Sequence, residues 1–205
     1  MRRDPDAARR LILDAARDVF AERSPDGVGL KDVAARAGVS HALVTHYFGT
    51  YDALVDTVLE ARISDVRERA IAALRTLGPD ASPTSIVPKL ATILTEGPTM
   101  RLVAWALLSG RLARSDFFPA RSRGLRQVAD AIELFAVHAG RKPPPRETIE
   151  FALLAVLTSM FGYALGKPSF SVALGRDPSE LDDARFWTFV AGLVDRAFDV
   201  VAPKP

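Results

Sequence analysis

Apolar residues recur at three- and four-residue intervals along most of the chain, and no stretch shows the strict alternation of a half-buried strand. The pattern predicts an all-α protein of about nine helices. Ile12, Ala16, Val19 and Phe20 share one face of a first helix running from about Pro5 to Glu22. A break follows, marked by Pro25, Asp26, Gly27 and Gly29. Leu30, Val33, Ala34 and Ala37 form a second stripe, which ends at Gly38, where a chain leaving a helix needs a left-handed residue. Val39 points back to the core, and Ser40 can cap a short third helix whose buried side is Val44, Tyr47 and Phe48. Thr50 can cap a long fourth helix, with Asp52 in its first turn as the helix dipole prefers, reaching about Leu77 before Gly78-Pro79.

The later punctuation is regular. Ser82-Pro83 opens a fifth helix, Gly97-Pro98 separates it from a sixth, and Ser115 to Pro119 is a break. A seventh helix ends at Gly140 before the proline run at 143–145. An eighth is expected from Arg146 to Gly166, and a ninth from Asp177, which has a capping acid, Pro in the first turn and Glu three residues on.

Composition narrows the classes. With 205 residues and 48% hydrophobic content a sizeable core can form. The absence of cysteine excludes disulfides, thiolate metal sites and thiol catalysis, and fits a reducing cytoplasm. The first ten residues are charged, so no signal peptide is expected. The longest uncharged run, Phe151 to Gly166, falls short of the roughly 20 residues that span a bilayer. It is read as a buried helix, with no membrane partner. Net charge is +2, and the first fifty residues hold eight Arg and Lys against seven Asp and Glu. Any nucleic-acid contact therefore needs locally placed cations. The cluster Arg2, Arg3, Arg9 and Arg10 fits phosphate contact and fits a solvated terminus equally well.

The segment from Leu30 to Phe48 reads as two short helices joined by a tight turn, the arrangement that lays its second helix in the DNA major groove. On that helix His41, Ala42, Leu43, Thr45 and His46 are not needed for the core. Leu43 can pack on a thymine methyl, Thr45 can meet a base edge, and His41 can approach a phosphate. The competing reading is an ordinary solvated face. His41 and His46 lie about 140° apart on a helix, so they cannot clamp one metal ion. No Walker loop, dinucleotide fingerprint, nucleophile elbow or His-Glu-x-x-His motif occurs, which argues against an enzyme and implies no cofactor.

Ile12-Leu-Asp-Ala-Ala16, Val19-Phe-Ala-Glu22, Lys31-Asp-Val-Ala34, Ala37-Gly-Val-Ser40 and His46-Tyr-Phe-Gly49 together resemble the TetR family of transcriptional regulators. The resemblance covers about residues 8 to 60; beyond that it is one of helix count and placement. It implies a three-helix DNA-binding domain over residues 1–49 and a helical ligand-binding and dimerisation domain over 50–205. It implies that Tyr47, His46 and Lys31 hold the operator backbone, so that the DNA-binding set is Lys31, Ser40, His41, Ala42, Leu43, Thr45, His46, Tyr47 and Tyr51. Tyr51 stands where the family usually has Lys. Gly29 stands where it usually has Thr or Ser, and Thr45 where it often has an aromatic residue.

The eighth helix is apolar over a wide arc. Ala152, Ala155, Ser159, Gly162 and Gly166 form one stripe, and Phe151, Leu154, Thr158, Phe161 and Leu165 a neighbouring one. With Phe186, Val190, Leu193, Ala197 and Val201 of the ninth, they can make a four-helix interface between two copies, or be buried within one chain. A homodimer through these two helices also follows from the resemblance and suits a palindromic double-stranded operator. The resemblance further implies a largely apolar small-molecule effector among Met100, Trp105, Phe118, Phe135, Met160 and Phe161, each of which reads equally as core. Arg101, Arg111, Arg114 and His138 are candidates to orient a polar ligand, or simply solvated. The resemblance thus implies a repressor released from its operator by that effector. The rival reading is a helical small-molecule-binding protein without operator recognition.

Overall fold

The structure is a computed structural model that describes residues 5–78, 81–95, 99–113 and 124–201. Among the described residues there are nine α-helices and no strand: α1 Pro5–Glu22, α2 Leu30–Ala37, α3 His41–Phe48, α4 Tyr51–Arg75, α5 Pro83–Thr95, α6 Thr99–Leu108, α7 Gly124–His138, α8 Arg146–Ala173 and α9 Asp183–Val201. Short 3-10 turns occupy Pro25–Gly27, Arg111–Ala113 and Pro178–Glu180.

Two compact units share these helices. One takes Met1–Asp65 together with Gly97–Phe118; the other takes Val66–Glu96 and Pro119–Pro205. In the first unit α1 packs on α2 and α6, and α2 on α3. Its core is built from the predicted stripes, with Ile12, Val33, Val44, Leu54, Val55 and Val58 fully buried and Leu102 and Ala106 of α6 joining them. Each such aliphatic side chain is worth about 1.5–3 kcal/mol on burial. The α6 contribution was not legible in the sequence.

In the second unit α5 lies along α9 and α8, and α7 packs on α8. Leu90, Ala91, Val156, Met160, Trp187 and Ala191 fill its core. Arg146 ties α7 to α8 through Asp130 at 2.6 Å and Glu133 at 3.2 Å, with Glu150 on its own helix at 3.0 Å. These bonds hold its guanidinium above the ordinary arginine range.

Two expected boundaries need correction. α8 does not stop at Gly166 but continues through Pro168 to Ala173. Proline removes one ladder bond. The turn around it is held instead by Lys167, whose ammonium donates to Leu181 O at 2.9 Å and Asp183 Oδ1 at 2.6 Å. The stop lies at Gly175, at φ 70°, where Arg176 N donates to Ser171 O at 2.9 Å. Asp177, accepting from Ser179 N at 2.8 Å, caps only the 3-10 turn. Asp182 caps α9, accepting from Ala184 N at 2.8 Å and Arg185 N at 3.2 Å.

The reading of 151–166 as a buried helix is also corrected. By length and composition α8 is apolar enough to cross a membrane, and only 17% of its most apolar window is buried within the chain. Phe151, Leu154, Ala155, Thr158, Gly162 and Leu165 are exposed on one face, whereas Ile149, Val156 and Met160 point into the core. On α9 the exposed stripe is Phe189, Leu193 and Ala197. The expected Phe186 and Val190 turn inward instead: Val190 is buried, and Phe186 stacks on Tyr163 at 3.9 Å.

Candidate nucleic-acid interface

Each step of the helix pair has a visible physical cause. Before α2, Gly29 offers no capping side chain. Asp32 compensates by reaching back, its carboxylate accepting from Gly29 N at 2.9 Å. Arg23 donates to the same carboxylate at 2.9 Å, and the two bonds hold Asp32 below the ordinary aspartate range. α2 closes on Gly38, which adopts φ 63°, with Val39 N bonded to Ala34 O at 3.0 Å and Gly38 N to Ala35 O at 3.2 Å. Ser40 Oγ then accepts from Leu43 N at 3.2 Å and starts α3.

Val44 and Phe48 anchor α3 to the core and fix its rotation. His41, Ala42, Thr45 and His46 are exposed together, filling an arc of about 140°. Leu43 and Tyr47 flank that arc half-buried, and Tyr47 packs against the core while its ring meets that of His46 edge-on at 5.3 Å. Thr45 Oγ1 donates to His41 O at 3.1 Å, which leaves the hydroxyl oxygen as an outward acceptor. Of the sequence candidates, His41, Ala42, Thr45 and His46 thus share one open face, with Ser40 exposed ahead of α3 and Lys31 exposed near the start of α2.

Tyr51 departs from expectation. It is half-buried against Phe20, and its hydroxyl proton goes to Pro25 O at 2.7 Å rather than outward. Burial first, then Asp26 and Asp32, pushes its pKa up to about 12. Its donor is spent inside the unit, so in this conformation it offers a phosphate nothing.

The weak overall charge is resolved by pairing. Asp14, Glu22, Asp32, Asp52 and Asp56 are all held by Arg17, Arg36, Arg23 or Arg111. Lys31 and Arg9 are among the described cations that make no ion pair. Arg9 lies over the Phe48 ring at 5.3 Å, which places a cation beside the end of α3. Arg2 and Arg3 lie outside the described residues.

The ligand candidates divide. Met100 is buried and Trp105 half-buried in the first unit, where Trp105 lines a small cleft of about 120 Å³ with Phe20, Pro25 and Leu102. In the second unit Met160 is fully buried in the core, Phe161 is half-buried, and Phe135 lies under Arg141 at 5.5 Å. Phe118 and Arg114 lie outside the described residues. Arg111 is neither solvated nor turned to a ligand: its side chain is 14% exposed and paired with Asp52 and Asp56.

Comparison with known proteins agrees with this geometry. Residues 12–58 match the model of the bacterial regulatory proteins of the tetR family. An HTH-type transcriptional repressor of Mycobacterium tuberculosis is 53% identical over 49 residues, 24% of this chain and 26% of that protein. The chain thus spans about a quarter of the length of the first curated relatives it matches. The HTH-type transcriptional regulatory protein RaaS of the same species is 27% identical over 197 residues, 96% of this chain and 82% of that one. The fold is that of a putative TetR-family regulator from Mesorhizobium loti, with a TM-score of 0.70 at 16% identity over 98% of both chains. Over residues 12–58 the helix pair and its anchored third helix are thus similar to those of the bacterial regulatory proteins of the tetR family, and the fold is that of a TetR-family regulator.

Proposed function

We propose that the protein is a non-enzymatic, DNA-binding transcriptional regulator that represses from a palindromic operator and is released by a small-molecule effector. The observation that carries this is the open arc His41–Ala42–Thr45–His46 on a helix whose opposite side is locked into the core by Val44 and Phe48. A helix so anchored can enter a major groove without rearrangement. Its exposed groups match base edges and phosphates, and Lys31 and Arg9 supply charge at its flanks. DNA recognition is assigned to residues 1–49, and effector binding and dimerisation to 50–205.

One eight-residue helix reads few bases, so two copies are required. The exposed faces of α8 and α9 supply the contact: Phe151, Leu154 and Leu165 on one, Phe189 and Leu193 on the other, are each about half exposed or more. Monomeric proteins rarely leave so large an apolar stripe uncovered. A second copy, rather than lipid, is the occupant we assign, with the dimer acting in the cytoplasm. In the dimer two α3 helices would sit about 34–36 Å apart in successive grooves. The effector, largely apolar, would bind within residues 50–205 and would weaken operator binding reciprocally.

Selection from a random-oligonucleotide pool, followed by polarisation titration on the winning palindrome, tests the reading. A palindrome bound with steep salt dependence supports it. Enrichment of no sequence favours the rival small-molecule-binding protein.

A further inference from the structure

The helix pair is clamped by residues far away in the sequence. Arg111, in the 3-10 turn after α6, forms ion pairs with Asp52 and Asp56, one turn apart on the same face of α4. Its guanidinium also lies over the Trp105 ring at 5.4 Å. Trp105 Nε1 donates to Asp26 Oδ2 at 2.6 Å, in the turn between α1 and α2. The neighbouring Pro25 carbonyl accepts from Tyr51, the first residue of α4. The contacts close a ring: α4 to the 111–113 turn, to α6, to the α1–α2 turn, and back to α4.

Two physical consequences follow. α4 starts three residues after α3 ends, so whatever fixes the first turn of α4 fixes the exit of the recognition helix. Asp52 and Asp56 would also stand as two uncompensated carboxylates close behind α3, a position that repels a phosphate backbone; Arg111 cancels both. A fork-shaped guanidinium can hold two carboxylates at once, which a single ammonium does poorly.

We propose that Arg111 is a positioning residue for operator binding, holding the α3–α4 junction in its DNA-competent orientation and neutralising the carboxylates behind it. The proposal rests on the DNA-binding reading above. Its test compares Arg111→Ala, Arg111→Lys and Leu102→Ala on the palindrome selected by the wild-type chain, well below every variant's melting temperature. Leu102 is buried in the same α6 segment but carries no charge and makes no ion pair, so its truncation reports lost packing of α6 without loss of the Arg111 clamp.

Arg111→Ala is expected to weaken DNA binding ~10-fold or more, and Arg111→Lys, which keeps the charge but not the fork, ~3-fold. Leu102→Ala should leave the affinity of the folded protein within about twofold. Should Arg111→Ala not fold, the Lys variant carries the same comparison. Equal loss of affinity in Leu102→Ala and the Arg111 variants, or no loss in either Arg111 variant, overturns the positioning role while leaving the DNA-binding reading intact. A wild-type chain that selects no DNA removes both.

Discussion

The hydroxyl of Tyr51 donates to the carbonyl of Pro25 at 2.7 Å, tying the first residue of α4 to the turn that precedes α2. A family position expected to face phosphate has become an internal strut. Tyr51→Phe should therefore cost about 0.5–1.5 kcal/mol of stability, the usual net value of one hydrogen bond. The loss should appear in stability, because the hydroxyl proton is spent on Pro25 O. Thermal unfolding of the two proteins measures it. Unchanged stability would mean that the hydroxyl does not tie α4 to the 25–27 turn.

The same strut gives a signature at high pH. The folded state holds the phenol at about 12, above its ordinary 10.0. A group raised on folding contributes stability that is whole below the ordinary value and lost as pH climbs through the raised one. Wild-type stability should accordingly fall between pH 10 and 12, and Tyr51→Phe should fall less steeply there. Parallel denaturant titrations across that range decide it; identical slopes would mean the hydroxyl is not engaged.

Asp32 provides the converse case. Arg23 and the Gly29 N–H hold its carboxyl below the ordinary 3.8, so its contribution is present above that value and disappears as pH drops through the lowered one. Asp32→Asn should be less stable than wild type near neutrality and indistinguishable from it in strong acid. A gap that persists in strong acid would show that Asp32 acts by something other than its charge.

Across α2 and α3, roles separate by chemistry. Thr45 spends its proton on His41 O and shows its oxygen outward, whereas Lys31 offers only an exposed charge. Thr45→Ala should change which base is preferred at one or two operator positions, by about 1–3 kcal/mol each. Lys31→Ala should weaken every sequence alike. Binding to a library of single-base operator variants distinguishes them; uniform weakening by both changes would show that Thr45 meets the backbone.

How much of this was legible depended on how local the cause was. Gly38, Ser40 and Thr50 act within three residues of themselves, and each does what its type suggests: φ 63°, a bond from Leu43 N, a bond from Ala53 N. The open face of α3 followed from the same periodicity. The end of α8 did not, because Gly166 and Pro168 carry a stop signal that a distant ion pair from Lys167 to Asp183 overrides. The Arg111 clamp was invisible for the same reason, since its partners lie 55 and 59 residues away. Asp182, rather than Asp177, was the better cap, yet both are acids ahead of a helix, and only the chain path between them separates the two.

The apolar faces of α8 and α9 make the strongest claim about assembly. Leu165 is 49% exposed and Leu193 48%, on sides turned away from the core that Met160 and Val190 fill. Both are half exposed and outside the buried core cluster, so replacing either with Glu costs little packing within the chain and the fold should survive. In a dimer through this face the same change buries a charge without a partner, which costs enough to raise the dimer dissociation constant ~100-fold or more. Sedimentation velocity across a concentration series measures that shift, and circular dichroism checks helicity. Because α8 also has the length and composition of a membrane span, wild-type protein should be assayed for flotation with phosphatidylcholine vesicles. Dimers that dissociate on Leu193→Glu, with wild type staying off the vesicles, assign the face to a second copy. An unchanged dimer would mean that the interface lies elsewhere. Vesicle binding by wild type that is abolished by the same substitution would assign the face to lipid.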